Sequence, residues 1–218
     1  MTKDEKQKAL EKTASDLEAS GGGTLGGPGI NAVFGEGDPG AEIMFIGEAP
    51  GFHENEERRP FVGQAGKLLR RTLVENGFME GEVYITNILK FRPPENRDPT
   101  PDEIEFFRPF LDKQIEIIDP KIIATLGRYS MYKFLGEGVS ISRVHGQPRT
   151  INWGGKNITI FPMYHPAAAL RAGDMMQAFE QDFEKLKALV SGEKIEITQQ
   201  VDKVDKKDEI KTEQLSLV

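Results

Sequence analysis

The pattern of the chain predicts an α/β fold: a three-layer α/β/α sandwich around a central, mostly parallel sheet. Three observations carry this. Short apolar runs of strand length alternate with longer segments of helical periodicity, the signature of a sheet covered by helices on both faces. The runs, among them Ile43-Met44-Phe45-Ile46, are continuously apolar, as in strands buried on both sides. Strand ends also run into Gly-rich turns that open helices, at Gly47 to Gly51 and again at Gly127. A length of 218 residues fits one such domain with a full core, plus tails.

Taken in order, residues 2–19 are highly charged, with Leu10, Ala14 and Leu17 at helical spacing, and read as a marginal helix. Ser20 to Gly29 is Gly-rich and reads as a loop. Residues 42–46 form a strand. Gly66 to Asn76 carries Leu68, Leu69 and Leu73 on one helical face and ends near Gly77. Val83-Tyr84-Ile85 is a strand ending in Thr86-Asn87, followed by a Pro-rich loop from Phe91 to Pro101. Thr100 as N-cap, Pro101 at N1 and Glu103 at N3 start a helix that runs to about Ile118. Lys121 to Leu126 and Ile158 to Pro162 are strands, and Ala178 to Val190 is a last helix. Beyond Ser191 the sequence is rich in Lys, Asp, Glu and Gln and is expected to be disordered. The organisation expected is thus an N-terminal helix and Gly-rich loop at 1–24, one domain at 25–190, and a tail at 191–218.

Composition narrows the function. With no cysteine there is no disulfide, thiolate nucleophile or thiolate metal site. Three widely spaced histidines argue against a histidine metal site. No run of about 20 apolar residues marks a membrane span, and the charged N-terminus lacks a signal peptide's apolar core, so a cytoplasmic protein is expected. A net charge of −7 shows no global basic footprint, although a local basic face suffices for nucleic acid.

Two segments concentrate the chemistry. Gly47-Glu48-Ala49-Pro50-Gly51, with Glu54, Arg59-Pro60-Phe61-Val62-Gly63 and Ala65-Gly66 behind it, brings backbone amides and carboxylates to a strand-to-helix turn. Tyr164-His165-Pro166-Ala167-Ala168-Ala169-Leu170-Arg171 follows a later strand. These segments, with Ile85-Thr86-Asn87 and the stretch Arg92 to Glu103 between them, occur in an order that resembles the uracil-DNA glycosylase superfamily over roughly Leu25 to Leu189. They most resemble family 4, the bacterial and archaeal iron-sulfur type.

The resemblance implies a monofunctional DNA repair glycosylase that flips uracil out of single- or double-stranded DNA and hydrolyses its N-glycosidic bond, leaving an abasic site. Asn87 would read the uracil edge, Phe61 would stack on the base, and Gly47 and Ala49 would complete the uracil pocket. His165 would donate to the developing charge on uracil O2. Glu48 and Glu54 are the acidic candidates for orienting water or stabilising the cationic sugar; Glu54 has the alternative of walling off C5 and excluding thymine. Arg58, Arg59, Ala167, Leu170 and Arg171 would meet DNA, with Leu170 as a wedge, and Lys67, Arg70, Lys90, Arg92 and Arg97 would add to a basic face.

The family pattern has four cysteines around an iron-sulfur cluster, and Ser20, Gly23, Phe91 and Phe107 stand at those positions here, so no cofactor is expected. Arg58 stands where members often have Gly. No basic insert ending in His, as in the cross-linking branch, is present. The rival readings are a broader deaminated-base glycosylase and a non-catalytic uracil-DNA binding protein. A monomer is expected. The last five residues, Gln214-Leu215-Ser216-Leu217-Val218, resemble the pentapeptide by which bacterial repair proteins dock on the sliding clamp, with Val218 where Phe is preferred.

Overall fold

Strands of continuous apolar character can satisfy their backbone only as inner members of a sheet, and they do so here. In the computed structural model, which describes residues 1–193 and 198–199, the chain forms helix α1 (Lys3–Ala19), strands β1 (Glu36–Gly37) and β2 (Ile43–Gly47), helices α2 (Phe52–Glu57) and α3 (Gln64–Glu75), β3 (Val83–Asn87), α4 (Pro101–Ile118), β4 (Ile122–Leu126), α5 (Arg128–Leu135), α6 (Ile141–Val144), β5 (Arg149–Trp153), β6 (Lys156–Met163), α7 (Pro166–Ala169), α8 (Gly173–Val190) and β7 (Thr198–Gln199). The sheet order is β1-β3-β2-β4-β6-β5-β7. The four inner strands β3, β2, β4 and β6 are mutually parallel, while β1 and β5 run antiparallel at the flanks.

Alternation along β2 divides the core. Met44 and Ile46 face α1, α4 and α5, packing with Leu10, Leu17, Leu111, Ile115 and Met131. Ile43 and Phe45 face α3 and α8, packing with Leu69, Leu73, Phe179 and Phe183. The three-layer sandwich follows from this two-sided burial. The α4 boundaries match the Thr100 capping box, with Thr100 accepting from the Glu103 N–H and Glu103 from the Thr100 N–H.

Four elements in particular differ from the sequence reading. Helix α1 is well formed rather than marginal: a Thr2–Glu5 capping box starts it, and Leu10, Thr13 and Leu17 are buried. Strands β1 and β5 were not expected, because β1 is two residues long and β5, only partly buried, lacks the continuous apolar signal; β5 turns into β6 through Gly154 and Gly155, both at positive φ, as a type I′ turn requires. The stretch expected to be disordered from Ser191 contributes Thr198–Gln199, which pairs with Arg149 and Thr150 of β5. The clamp-like segment Gln214 to Val218 lies outside the described residues.

Of the four positions that match the family's cluster cysteines, Phe91 and Phe107 are packed in the core, while Ser20 and Gly23 lie at the surface. The Phe91 and Phe107 rings stack with centroids 5.8 Å apart and are 5% and 1% exposed. Gly22 abuts Phe91 so closely that a Cβ there would lie 2.7 Å from the ring, and Gly23 is held in the same way against Phe106. Aromatic contact therefore ties the Gly-rich loop to the Pro-rich loop and α4. Phe91→Ala is expected to destabilise the fold by about 3–5 kcal/mol, the usual scale for emptying a buried phenylalanine site. Denaturant unfolding of both proteins measures this, and an unchanged midpoint would count against the packing account.

Candidate active site

In an open parallel sheet the ligand crevice forms beyond the carboxyl ends of the strands, where successive connections depart in opposite directions. Here the chain leaves β2 toward β3 on one side and later adds β4 on the other, so the switch lies at the ends of β2 and β4. A cleft of about 770 Å³ opens there, bringing together Glu48, Ala49, Glu54, Phe61, Asn87 and His165. Ala167 and Arg171 also line it. Residues far apart in the chain thus converge because four parallel strands end at the same edge.

The floor is built by close approach. A Cβ on Gly47 would fall 2.4 Å from both Asn87 Oδ1 and Phe61 Cζ, so only glycine lets those two side chains meet at the end of β2. Phe61 has φ of 53°, a left-handed conformation that phenylalanine adopts only under constraint. Arg70 supplies the constraint: its Nε donates to the Phe61 carbonyl and its Nη2 to the Pro60 carbonyl, both at 2.9 Å. The Phe61 ring lies 5.8 Å from the His165 ring, leaving an aromatic wall beside the cleft.

The two carboxylates separate clearly. Glu54 Oε1 accepts from the Val62 and Gly63 amides at 2.9 and 2.8 Å, and Oε2 from the Gly51 amide at 3.1 Å. Its oxygens fasten the first turn to the loop carrying Phe61. The Glu48 carboxylate has no hydrogen bond among the described residues and lines the cleft. Burial, reinforced by the negative charge of Asp98 and opposed by Arg128, pushes its pKa up to about 7. Two environments have split a pair of similar groups into a brace and a titratable group poised near neutrality.

Asn87, 2% exposed, ends β3 with its Oδ1 buried and without a hydrogen-bond partner among the described residues. Buried amide oxygens are seldom left so, and this one belongs to a side chain that lines the cleft. His165 is the N-cap of α7, and its Nδ1 accepts from the Ala167 amide at 3.1 Å. With Nδ1 an acceptor, the proton of the neutral ring belongs on Nε2. Burial, then the nearby positive charge of Arg171, lowers the ring's pKa to about 4, against a smaller opposing pull from Glu54. The imidazole is therefore a neutral donor at physiological pH.

The basic face is smaller than the sequence suggested. Arg58 is engaged by Glu18 at 3.3 Å and Asn31 at 2.7 Å, Arg59 by Glu36 at 2.7 Å, and neither lines the cleft. Lys90 is fully buried and Arg70 is spent on the Phe61 loop, because both follow strand or helix positions that face inward. Arg171 and Ala167 do lie at the cleft, and Leu170 stands beside them at the end of α7, 49% exposed. Sequence reasoning missed Asp98 and Arg128, which line the cleft and pair at 2.5 Å across it. Arg128 had a signal: it is the first residue after the Gly127 turn at the end of β4.

The chain does not fit an iron-sulfur cluster. Where thiolates would stand, stacked Phe91 and Phe107 rings fill the space, and no group of three or more His, Asp or Glu side chains among the described residues is arranged to hold a metal.

Comparison with known proteins gives the family. The family model of the uracil DNA glycosylase superfamily matches residues 34–187. A type-4 uracil-DNA glycosylase of Sulfurisphaera tokodaii is 51% identical over 164 residues, covering 73% of this chain and 74% of the relative. That of Saccharolobus solfataricus is 50% identical over 170 residues, covering 76% and 79%, and that of Archaeoglobus fulgidus 44% identical over 160 residues, covering 72% and 80%. With the family model spanning strands β1 to β6 and every segment of the cleft, the chain belongs to the uracil DNA glycosylase superfamily.

Proposed function

We propose that this protein hydrolyses the N-glycosidic bond of uracil in DNA, as the first step of base excision repair, and that it does so without a metal or cofactor. The observation that carries the reading is the orphaned, buried Asn87 Oδ1 facing the same cleft as the Phe61 ring and the His165 Nε2–H. Uracil presents a donor at N3 and an acceptor at O4, which one amide satisfies together; cytosine reverses the pattern and would leave both amide atoms opposed. Phe61 stacks on the flipped base. His165 Nε2 donates to uracil O2 as negative charge builds there. Glu48, ionised, orients the attacking water and offsets the positive sugar. Glu54 acts through the loop it braces rather than on the substrate.

Arg171 and the exposed Leu170 suit the rim over which a duplex would lie, Leu170 filling the gap left by the flipped base. The test is excision from a uracil oligonucleotide by purified protein, read as alkali-labile cleavage. Cleavage supports the enzyme; uracil-specific binding without cleavage would support a non-catalytic binder; and cleavage of hypoxanthine or xanthine oligonucleotides at a comparable rate would broaden the substrate class. Asn87→Asp is expected to weaken uracil excision by roughly ten- to a hundred-fold, because a carboxylate keeps the acceptor and loses the donor. Unchanged single-turnover rates for this variant would remove Asn87 from the role.

The protein is taken to act as a cytoplasmic monomer. Its final residues, Gln214 to Val218, suit a peptide docked in an apolar groove of a bacterial sliding clamp, with the polar stretch before them as tether. A peptide of residues 208–218 is expected to bind such a clamp at about micromolar Kd or weaker. Removing residues 214–218 is expected to leave excision from naked oligonucleotides intact; no peptide binding, or loss of excision, would end this assignment.

A further inference from the structure

Lys90 is fully buried and lies outside the cleft, yet it contacts the residue that reads the base. Its Nζ lies 2.6 Å from Thr86 Oγ1, 2.8 Å from the Asn87 carbonyl and 2.5 Å from Gln114 Oε1. Each of these atoms can only accept. Thr86 Oγ1 gives its own proton to the Phe34 carbonyl at 2.7 Å, and the Gln114 amide nitrogen donates to that carbonyl and to the Tyr84 hydroxyl. Three acceptors at hydrogen-bond distance call for three N–H groups, the complement of an ammonium. No carboxylate pairs with it among the described residues. A fourth acceptor, the Phe34 carbonyl, lies 3.3 Å from Nζ, and the Phe34 ring centroid lies 5.9 Å away. Burial pushes the amine well below the ordinary lysine range, so a charge kept here costs stability, offset by the acceptors gathered around it.

We propose that Lys90 is the positioning residue for Asn87: by pinning the Asn87 carbonyl it fixes the backbone from which the side-chain amide is presented to the cleft, and so sets affinity and selectivity for uracil. This rests on the reading of Asn87 as the uracil-binding side chain. The backbone just after Asn87 is already anchored, with Ile88 and Leu89 donating to the carbonyls of Gly47 and Glu48 at 3.0 and 2.9 Å. Lys90 therefore completes a turn in which the backbone that carries the Asn87 side chain is held in place.

The experiment compares wild type, Lys90→Met and Tyr84→Phe in the full chain, well below their melting temperatures. Three quantities are read: inhibition by free uracil, the KM and kcat for uracil oligonucleotide, and the uracil-to-cytosine excision ratio. Lys90→Met should weaken uracil inhibition and raise KM by roughly ten- to a hundred-fold, the scale of one hydrogen bond to a charged group, and should narrow the uracil-to-cytosine ratio. Tyr84→Phe, which loosens the same network without touching Lys90 or Asn87, should lower the melting temperature and leave uracil inhibition unchanged. Equal uracil inhibition in wild type and a folded Lys90→Met would overturn the proposal, as would an equal loss in Tyr84→Phe. If Lys90→Met does not fold, wild type labelled with nitrogen-15 at lysine decides: a protected Nζ resonance should shift on saturation with uracil, and a stationary one overturns the proposal. Wild type that neither binds nor excises uracil would instead overturn the parent reading.

Discussion

Glu48→Gln is expected to lower the single-turnover rate of uracil excision by about 10²–10⁴, the range for one positioned acid–base group, and to abolish the pH dependence around neutrality. The carboxyl pKa is pushed up to about 7, so the ionised form that orients water grows as pH rises through 7. Wild-type kcat/KM should rise with unit slope below that point and level off above it. His165, lowered to about 4, is neutral across this window and adds no second limb. The same shift makes a stability statement. A carboxyl whose folded pKa lies above its unfolded value of about 4.3 holds more protons in the folded state, so its contribution turns against the fold as pH rises from about 4 to 7. Glu48→Gln should therefore be at least as stable as wild type at pH 8, and this difference should vanish at low pH. A Gln variant that keeps the rising limb would assign the limb, and the base, to another group.

That division between Glu48 and Glu54 was not legible in the sequence, and the reason is physical. Both are acidic residues beside a Gly-rich turn, and only the path of the chain decides which meets backbone amides. The turn after Gly51 folds back so that the Val62 and Gly63 amides reach Glu54; nothing in the local pattern encodes that closure. The inner strands, by contrast, were legible because burial on both faces leaves a continuous apolar run, and α4 because its cap is written in Thr100, Pro101 and Glu103. The partly buried strands β1 and β5 were missed for lack of that run, although Gly154-Gly155 between two β-rich segments was a usable hairpin signal. The basic residues misled most. Proximity in sequence to the motifs places Lys90, Arg70 and Arg171 in one class, whereas the structure uses the first to hold Asn87, the second to hold Phe61, and only the third at the cleft.

His165→Ser is expected to cost about 10²–10³ in the excision rate, the scale of removing one donor aimed at developing charge. The loss should fall on the chemical step. Uracil O2 is a neutral carbonyl oxygen in the bound base and carries anionic charge only as the bond to the sugar breaks, so a donor on Nε2 gains most of its strength in the transition state. KM and inhibition by free uracil should therefore change little, in contrast to the Asn87 and Lys90 variants. The wild-type advantage should also be constant from about pH 6 to 9, because the imidazole is neutral throughout, its proton directed to Nε2 by the Ala167 amide at Nδ1. A loss that deepened with rising pH would instead indicate that imidazolium is the working form. Wild-type single-turnover rates in the Ser variant would remove His165 from the reaction altogether.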